Sequence, residues 1–154
     1  MLAESTRQRL QSQLDSLPII LAGVDEAAID RRPASGKWSA RENLAHMARY
    51  QGVFLERAAL ILREDRPRIP GYKAEADPEW PQWSALPLGK LRERLARDRA
   101  EIVALFAGLN ATQLARSAAH SRFGEMTLVQ WLEFFLLHEA HHLLAVLQRV
   151  RSAE

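Results

Sequence analysis

The sequence predicts an all-α protein, a four-helix bundle formed by a single domain that spans residues 1–154. The chain has the length of one domain, and four segments repeat apolar side chains at helical spacing. No segment shows the alternating pattern that is typical of a strand. Four amphipathic helices bury their apolar stripes most simply against one another.

The first helix is predicted to begin near Ser5, with Gln8 three residues later as its capping-box partner. Leucines follow at helical spacing, at positions 10, 14, 17 and 21. Pro18 lies inside this pattern, and proline removes a helical hydrogen bond, so we expect a kink or a restart there. A polar connection then leads to the second helix.

The second helix is predicted from about Ala40 to Arg63, because Ser39 and Glu42 form a capping box. The block 64–86 is too rich in proline for a helix and too rich in tryptophan for a disordered linker. We therefore expect an ordered loop. It is long enough to cross the bundle, which would allow an up-down-down-up arrangement with the crossover between helices two and three.

The third helix is predicted to begin at Pro87, since proline is favoured at the first helical position. Its leucines keep helical spacing to about Ala107, and Gly108 is a suitable stop. Asn110 with Gln113 predicts a short extra turn before the last helix.

The last helix is predicted from the capping box of Thr127 and Gln130 to about Arg151. It carries His138 and His142, whose spacing of four residues places both rings on one helix face. Two such imidazoles can offer nitrogens to one ion. Without a shared partner, two neutral imidazoles in a core would leave nitrogens unsatisfied, so the pair favours a metal site.

A third histidine, His46, lies on the inward stripe of helix two, so that facing helices could supply three nitrogens to one ion. The alternative for His46 alone is a core histidine that is hydrogen-bonded to a neighbour. We expect His120 to lie solvated in a polar loop. His141 is rotated by about 100° from His142, which predicts a place at the helix edge or around the ligands.

The segment His138–His142 also matches H-E-x-x-H, in which Glu139 would be the general base of a zinc protease. Such a site needs a third ligand, usually downstream. After His142 the only acidic residue is Glu154, and neither a sheet nor a substrate cleft is predicted. The bundle site is therefore the preferred hypothesis.

Composition excludes several functions. The chain has no cysteine, so disulfides, thiolate ligands and a cysteine nucleophile cannot take part. The 21 basic and 19 acidic residues are interspersed, which does not indicate nucleic-acid binding. We recognise neither a secretory signal nor an apolar stretch near the roughly 20 residues of a membrane span. A cytoplasmic protein without membrane association is therefore expected.

Two blocks of the sequence resemble the DinB-like superfamily: Arg32–His46 (RPASGKWSARENLAH) and His138–His142 (HEAHH). The segment Asp77–Trp80 (DPEW) is also similar to this group. The resemblance covers nearly the whole chain. It implies a bacterial up-down-down-up bundle, often a homodimer, in which His46, His138 and His142 bind a metal ion.

Three neutral imidazoles would leave a divalent ion, zinc or nickel as the first candidates, with an open coordination position that suits catalysis. Some members of the family that the chain resembles transfer low-molecular-weight thiols. The resemblance therefore implies a thiol transferase that acts on small molecules. The alternatives are a metal-dependent hydrolase and a non-enzymatic metal-binding protein of the stress response.

Three residues near the predicted ligands are candidates for proton transfer or ligand orientation: Tyr50, Glu139 and His141. The simpler expectation is that Tyr50 packs with its hydroxyl at the surface and that Glu139 is an ordinary solvated residue. Trp80 and Trp83 could cover the site, or could simply anchor the crossover loop to the bundle.

Overall fold

The computed structural model describes residues 1–151, in which helices predominate and three short strands form a small sheet. The helices are α1 (Glu4–Ser12), α2 (Ser16–Ile20), α3 (Glu26–Asp30), α4 (Ala40–Arg63), α5 (Trp80–Ser84), α6 (Leu88–Ala107), α7 (Ala111–Leu114) and α8 (Leu128–Arg151). The strands are β1 (Arg68–Ile69), β2 (Ser117–His120) and β3 (Gly124–Thr127). Among these helices, none is long and apolar enough to span a membrane.

The two longest helices, α4 and α8, are antiparallel and form the centre of a four-helix bundle. Asn43, near the start of α4, contacts His142 in the second half of α8. Arg57, near the end of α4, lies over the ring of Trp131 in the first turn of α8. The bundle that the sequence predicts is confirmed.

Helices α4 and α6 run in the same direction. Leu44 and Leu91, near their starts, belong to one core cluster, and Phe54 and Phe106 stack further along both helices. A parallel pair requires a connection that returns over the length of the bundle. Residues 64–87 provide it, so the predicted crossover is present.

The first helical segment, α1 with α2, runs parallel to α8 and completes the up-down-down-up order. Thr6 donates a hydrogen bond to Glu133, and Gln13 donates one to Glu139, one and a half turns later in α8. This segment is broken by a single 3-10 turn at residues 13–15. Pro18 therefore lies in the first turn of α2, where its missing N–H costs nothing.

Three predicted capping boxes are present, each with hydrogen bonds in both directions: Ser39 with Glu42, Asn110 with Gln113, and Thr127 with Gln130. The box predicted at Ser5 is wrong. Helix α1 begins one residue earlier, after Ala3, and the side chain of Gln8 instead donates to Glu4.

The expectation that no strand forms is wrong. Strand β1, from the crossover loop, pairs in parallel with β2, and β2 pairs antiparallel with β3. The strands have two to four residues, which is too short for an alternating pattern to be recognised. The loop also contains helix α5, with Pro81 at its start, where proline is tolerated.

Glu139 is buried, at 2% exposure, and the expectation that it is solvated is wrong. Its carboxylate pairs with the guanidinium of Arg99, which is also buried. Gln51 and Gln13 each donate a hydrogen bond of 2.7 Å to the same carboxylate. Arg99 also donates to the carbonyl of Leu10, so the hydrogen bonds of this ion pair connect α1, α4, α6 and α8.

We predict that Glu139→Ala lowers the free energy of unfolding by about 3–5 kcal/mol, because it leaves the guanidinium of Arg99 buried without a counterion. Urea unfolding followed by circular dichroism measures the change. Glu93→Ala is the control, since Glu93 pairs with Lys90 at the surface and both side chains are exposed. We expect about 1 kcal/mol or less there. Equal losses in both variants would contradict the role assigned to the buried pair.

Candidate metal centre

Three histidines converge between the two central helices. His46 lies two turns into α4, and His138 and His142 lie one turn apart on the facing side of α8. The Nε2 atom of His138 is 3.1 Å from Nε2 of His46 and 3.2 Å from Nε2 of His142. The three ligand atoms all lie within 4.8 Å of one another. The structure thus brings together the three residues that the sequence singled out.

The three imidazoles are neutral at physiological pH. Burial lowers the pKa of His46 from its ordinary value of 6.5 to about 4, and that of His142 to about 3. The pKa of His138 falls to about 2, because burial acts together with repulsion from the neighbouring rings. A neutral imidazole is the form that binds a metal ion, so the site is ready for one without losing protons.

Asn43 fixes the orientation of one ring. Its side-chain oxygen lies 2.8 Å from Nδ1 of His142, and its amide nitrogen donates a hydrogen bond of 2.7 Å to the carbonyl of Ser39. The amide is therefore oriented with its oxygen toward the ring, so Nδ1 of His142 carries the proton. Nε2 of His142 is left as a bare acceptor that points to the cluster.

The donor set fits a divalent ion. Nitrogens at about 2.0–2.1 Å from a tetrahedral zinc ion are about 3.3 Å apart, close to the two short separations measured here. Nδ1 of His46 is buried without a hydrogen-bond partner, so within residues 1–151 the polar contact of this ring is the one that its Nε2 makes with His138. Among residues 1–151, no further histidine or acidic side chain joins the three ligands, which leaves a position open.

Aromatic rings form the wall around His46. Trp38 stacks on Trp80 at 5.1 Å between centroids, and Trp80 meets the edge of the His46 ring. Tyr72, from the crossover loop, stacks on His46 at 5.8 Å. Of the two tryptophans expected to cover the site or anchor the loop, Trp80 therefore lies at the site. Trp83 packs beneath Arg94 of α6 and anchors α5.

Tyr50 lies at the site, one turn after His46. Its ring centroid is 4.4 Å from that of His138, and its hydroxyl accepts a hydrogen bond of 2.8 Å from Arg57. The side chain is buried, so the expectation of a hydroxyl at the surface is wrong. Burial raises the pKa of Tyr50 despite the opposing charge of Arg57, and the phenol is protonated at neutral pH.

The other two candidates lie away from the cluster. The carboxylate of Glu139 faces Arg99 in the core, so the arrangement of a zinc protease, with a glutamate base beside the metal, is absent here. His141 is exposed at the edge of α8, with its ring 5.2 Å from that of His142. A place at the helix edge is one of the two positions that the sequence predicted for it.

His120 is buried and not solvated, which corrects the prediction from the sequence. It ends β2, and its Nδ1 accepts hydrogen bonds from the backbone N–H groups of Arg122 and Phe123. Its ring also lies against the ring of Trp131. The polar loop suggested by composition is a short hairpin that folds back onto α8.

Several residues at the site were not predicted from the sequence. Asp77 holds the wall in place, because it accepts hydrogen bonds of 2.8 Å from both Tyr72 and Arg49. Asn43 lies three residues before His46, hence on the same face of α4, and this spacing could have identified it. Arg57 lies two turns after Tyr50, so helical spacing places both on one face of α4, but the spacing does not show that the two side chains form a hydrogen bond.

A cavity of about 430 Å³ opens beside His138, one of the three histidines. His138 and Tyr50 form its inner end, and Tyr72 and Phe134 belong to its walls. The β2–β3 turn covers the remaining side. The volume lies in the range of pockets that bind small molecules.

A four-helix bundle with three neutral imidazoles converging beside a cavity defines a candidate metalloprotein with an accessible site. The sequence profile of the DinB superfamily matches residues 3–146. The chain belongs to the DinB superfamily, as its two histidine blocks suggested.

Relatives and solved structures agree with this assignment. The chain is 27% identical to the uncharacterized protein YuaE of Bacillus subtilis, over 80% of this chain and 83% of that protein. It is 24% identical to OB0413 of Oceanobacillus iheyensis, named as a candidate metal-dependent hydrolase, over 88% of this chain and 78% of that protein.

Two solved structures share the fold. YfiT from Bacillus subtilis, described as a probable metal-dependent hydrolase with an unusual four-helix bundle topology, superposes with a TM-score of 0.81 at 21% identity. The match covers 97% of this chain and 89% of YfiT. TT2238, described as a four-helix bundle protein, superposes with a TM-score of 0.67 at 23% identity, and the match covers 92% of this chain and 95% of TT2238.

Proposed function

We propose that the protein is a metal-dependent hydrolase of small molecules, with His46, His138 and His142 as the metal ligands. The observation that carries the proposal is the convergence of three neutral imidazoles, one of which, that of His138, lines a cavity. No fourth side-chain ligand joins them within residues 1–151. An open position suits a catalytic ion, whereas a structural ion is usually enclosed by four ligands. The names of OB0413 and YfiT support hydrolysis.

A divalent ion held by these histidines supplies a Lewis acid and a water of lowered pKa. The side chains around the ion have separate roles. Asn43 keeps the ring of His142 in the tautomer that leaves Nε2 free. Trp38 and Trp80 stack on each other beside His46 and shield that side of the ring from bulk water, which strengthens the electrostatic interactions within the site.

Tyr50 is placed to hold a proton at the cavity wall. Its Oη accepts a hydrogen bond from Arg57, so the hydroxyl hydrogen of Tyr50 points away from Arg57 and is free to donate to another group. Because Tyr50 lines the cavity together with His138, this O–H can donate to an oxygen that gains negative charge during hydrolysis. The pKa, raised by burial, keeps the donor protonated at neutral pH.

The test is hydrolysis of p-nitrophenyl esters and small amides by protein loaded with zinc, nickel, manganese or cobalt. We expect activity that disappears on chelation and is absent from His46→Ala. Tyr50→Phe should reduce kcat by about 10²-fold, because it removes one hydrogen-bond donor to the developing charge. Activity that survives metal removal, or that His46→Ala retains, would overturn the proposal.

Thiol transfer, which the family resemblance implies, stays a prediction, as do the choice of zinc or nickel and the homodimer. The chain has no cysteine, so sulfur could reach the site only as a cosubstrate. A cobalt-loaded sample should therefore show a sulfur-to-cobalt charge-transfer band only after a thiol is added. A saturable band at one thiol per site would favour transfer; no band with millimolar thiol would favour hydrolysis.

A further inference from the structure

The cavity beside the candidate metal centre carries an unbalanced positive charge. Three cationic side chains line it: Arg57, Lys73 and Arg122. Within the described part of the chain, neither aspartate nor glutamate is among its lining residues. A second cavity shares Arg57 and the segment 71–73 with the first, and it also contains Arg49 with two acidic residues, Glu56 and Asp77, that lie within 4.0 Å of Arg49.

Arg57 is the informative residue, since it is 7% exposed. Its Nη1 donates to the hydroxyl of Tyr50 and its Nη2 donates to the carbonyl of Pro70, and both partners are neutral. No carboxylate of residues 1–151 lies within ion-pair distance of it. By contrast, the other buried arginine of the bundle, Arg99, pairs with Glu139.

A buried guanidinium without a counterion is costly, because the charge has lost its hydration and gained only neutral partners. Such a charge is stabilised when a ligand brings an anion to it. Both terminal nitrogens of the Arg57 guanidinium donate hydrogen bonds, so the position of the group is fixed before any ligand binds. A fixed cation in a pocket is the usual arrangement for recognising carboxylate or phosphate.

We propose that this cavity is an anion subsite, and that the substrate is a small organic acid whose oxyanion binds Arg57, Lys73 and Arg122. The inference rests on the proposed function, since it places the bond to be broken at the His138 end of the same cavity. The rings of Phe123 and Phe134 line the remaining wall and suit an apolar or aromatic body. This charge repels cationic molecules of the same shape and gives neutral ones no ion pair, so neutral molecules bind more weakly than anions.

The test compares binding of benzoate with that of its neutral isostere benzamide, by calorimetry or ligand-observed NMR. The full-length protein is used, both zinc-loaded and metal-free. We expect wild-type protein to bind benzoate about tenfold more tightly than benzamide in both forms. Arg57→Met should remove the preference. Arg57→Lys should keep part of it, because the cation remains while the fixed planar donor is lost.

Lys73→Met with Arg122→Met provides a variant that avoids the buried residue, since both side chains are exposed. It should reduce the preference to less than about threefold. Arg63→Met with Lys90→Met is the charge-matched control, as neither residue lines the cavity. It should bind like wild type. Circular dichroism confirms that each variant is folded.

The outcomes separate the two proposals. Equal binding of benzoate and benzamide by wild-type protein would overturn the anion subsite. The anion subsite would also be overturned if the preference for benzoate appeared only in zinc-loaded protein and persisted in Lys73→Met with Arg122→Met. The carboxylate would then bind only to the zinc ion and not to the cationic side chains. A preference that persists in a protein unable to hydrolyse any ester would leave the subsite standing and the hydrolase proposal refuted.

Discussion

Replacing His46, His138 or His142 with alanine is expected to abolish stoichiometric metal binding. The three Nε2 atoms share one point between α4 and α8, and no other histidine or acidic side chain of residues 1–151 joins them. Because no other side chain among these residues can take the place of a lost ligand, the ion in each variant would be held by two nitrogens and solvent, which bind a divalent ion weakly. Metal analysis of purified protein should show about one ion per wild-type chain and less than about a tenth per variant.

His120→Ala is the matched control for this experiment. His120 is also buried and also lies beside aromatic rings, but its Nδ1 is used by backbone N–H groups of the β2–β3 turn. The variant should keep its metal even if it loses some stability. If all four variants retain metal equally, the ion is bound elsewhere; if His120→Ala loses it too, the loss reflects unfolding.

The long helices could be predicted because their determinants are local. A capping box fixes the start of α4 at Ser39, and buried residues then recur at helical spacing as far as Ile61. The length of the loop between the second and third helices allowed a crossover, and the resemblance to the DinB-like superfamily implied one. The pair His138 and His142 was visible because helical spacing turns sequence distance into spatial distance.

The remaining features depend on contacts between residues far apart in the chain. Glu139 looks like an ordinary surface glutamate next to two histidines, and only the position of Arg99, forty residues earlier, shows that it is buried. His120 looks solvated because its strand partner, β1, is fifty residues away. Local sequence patterns cannot indicate these pairings. The same is true of Arg57, whose lack of a counterion is a property of the folded cavity.

The metal-free protein is expected to lose stability steeply as the pH falls below about 6.5. In the folded state the pKa of His46 is about 4, that of His142 about 3 and that of His138 about 2. In the unfolded chain all three return to about 6.5. Between these values the unfolded state binds more protons than the folded state. Acid therefore favours unfolding, and the contribution of the three neutral rings is fully present only above pH 6.5.

The size of the effect follows from the proton count. Each histidine that is charged only when unfolded changes the free energy of unfolding by about 1.4 kcal/mol per pH unit, and the three together by up to about 4 kcal/mol per pH unit. Urea unfolding of metal-free protein at several values between pH 7.5 and pH 5 measures the slope. The triple variant His46→Ala, His138→Ala, His142→Ala is the control, and should show a much flatter dependence because these groups no longer titrate.

Adding zinc should separate the metal site from the other causes of acid sensitivity. An ion that binds only the folded state stabilises it and competes with protons for the same Nε2 atoms. We therefore expect zinc to raise the unfolding midpoint of wild-type protein strongly at pH 7.5 and much less at pH 5. It should leave the triple variant unchanged at both values. A wild-type slope equal to that of the triple variant would show that the three histidines are not held neutral by the fold, and a zinc effect in the triple variant would place the metal elsewhere.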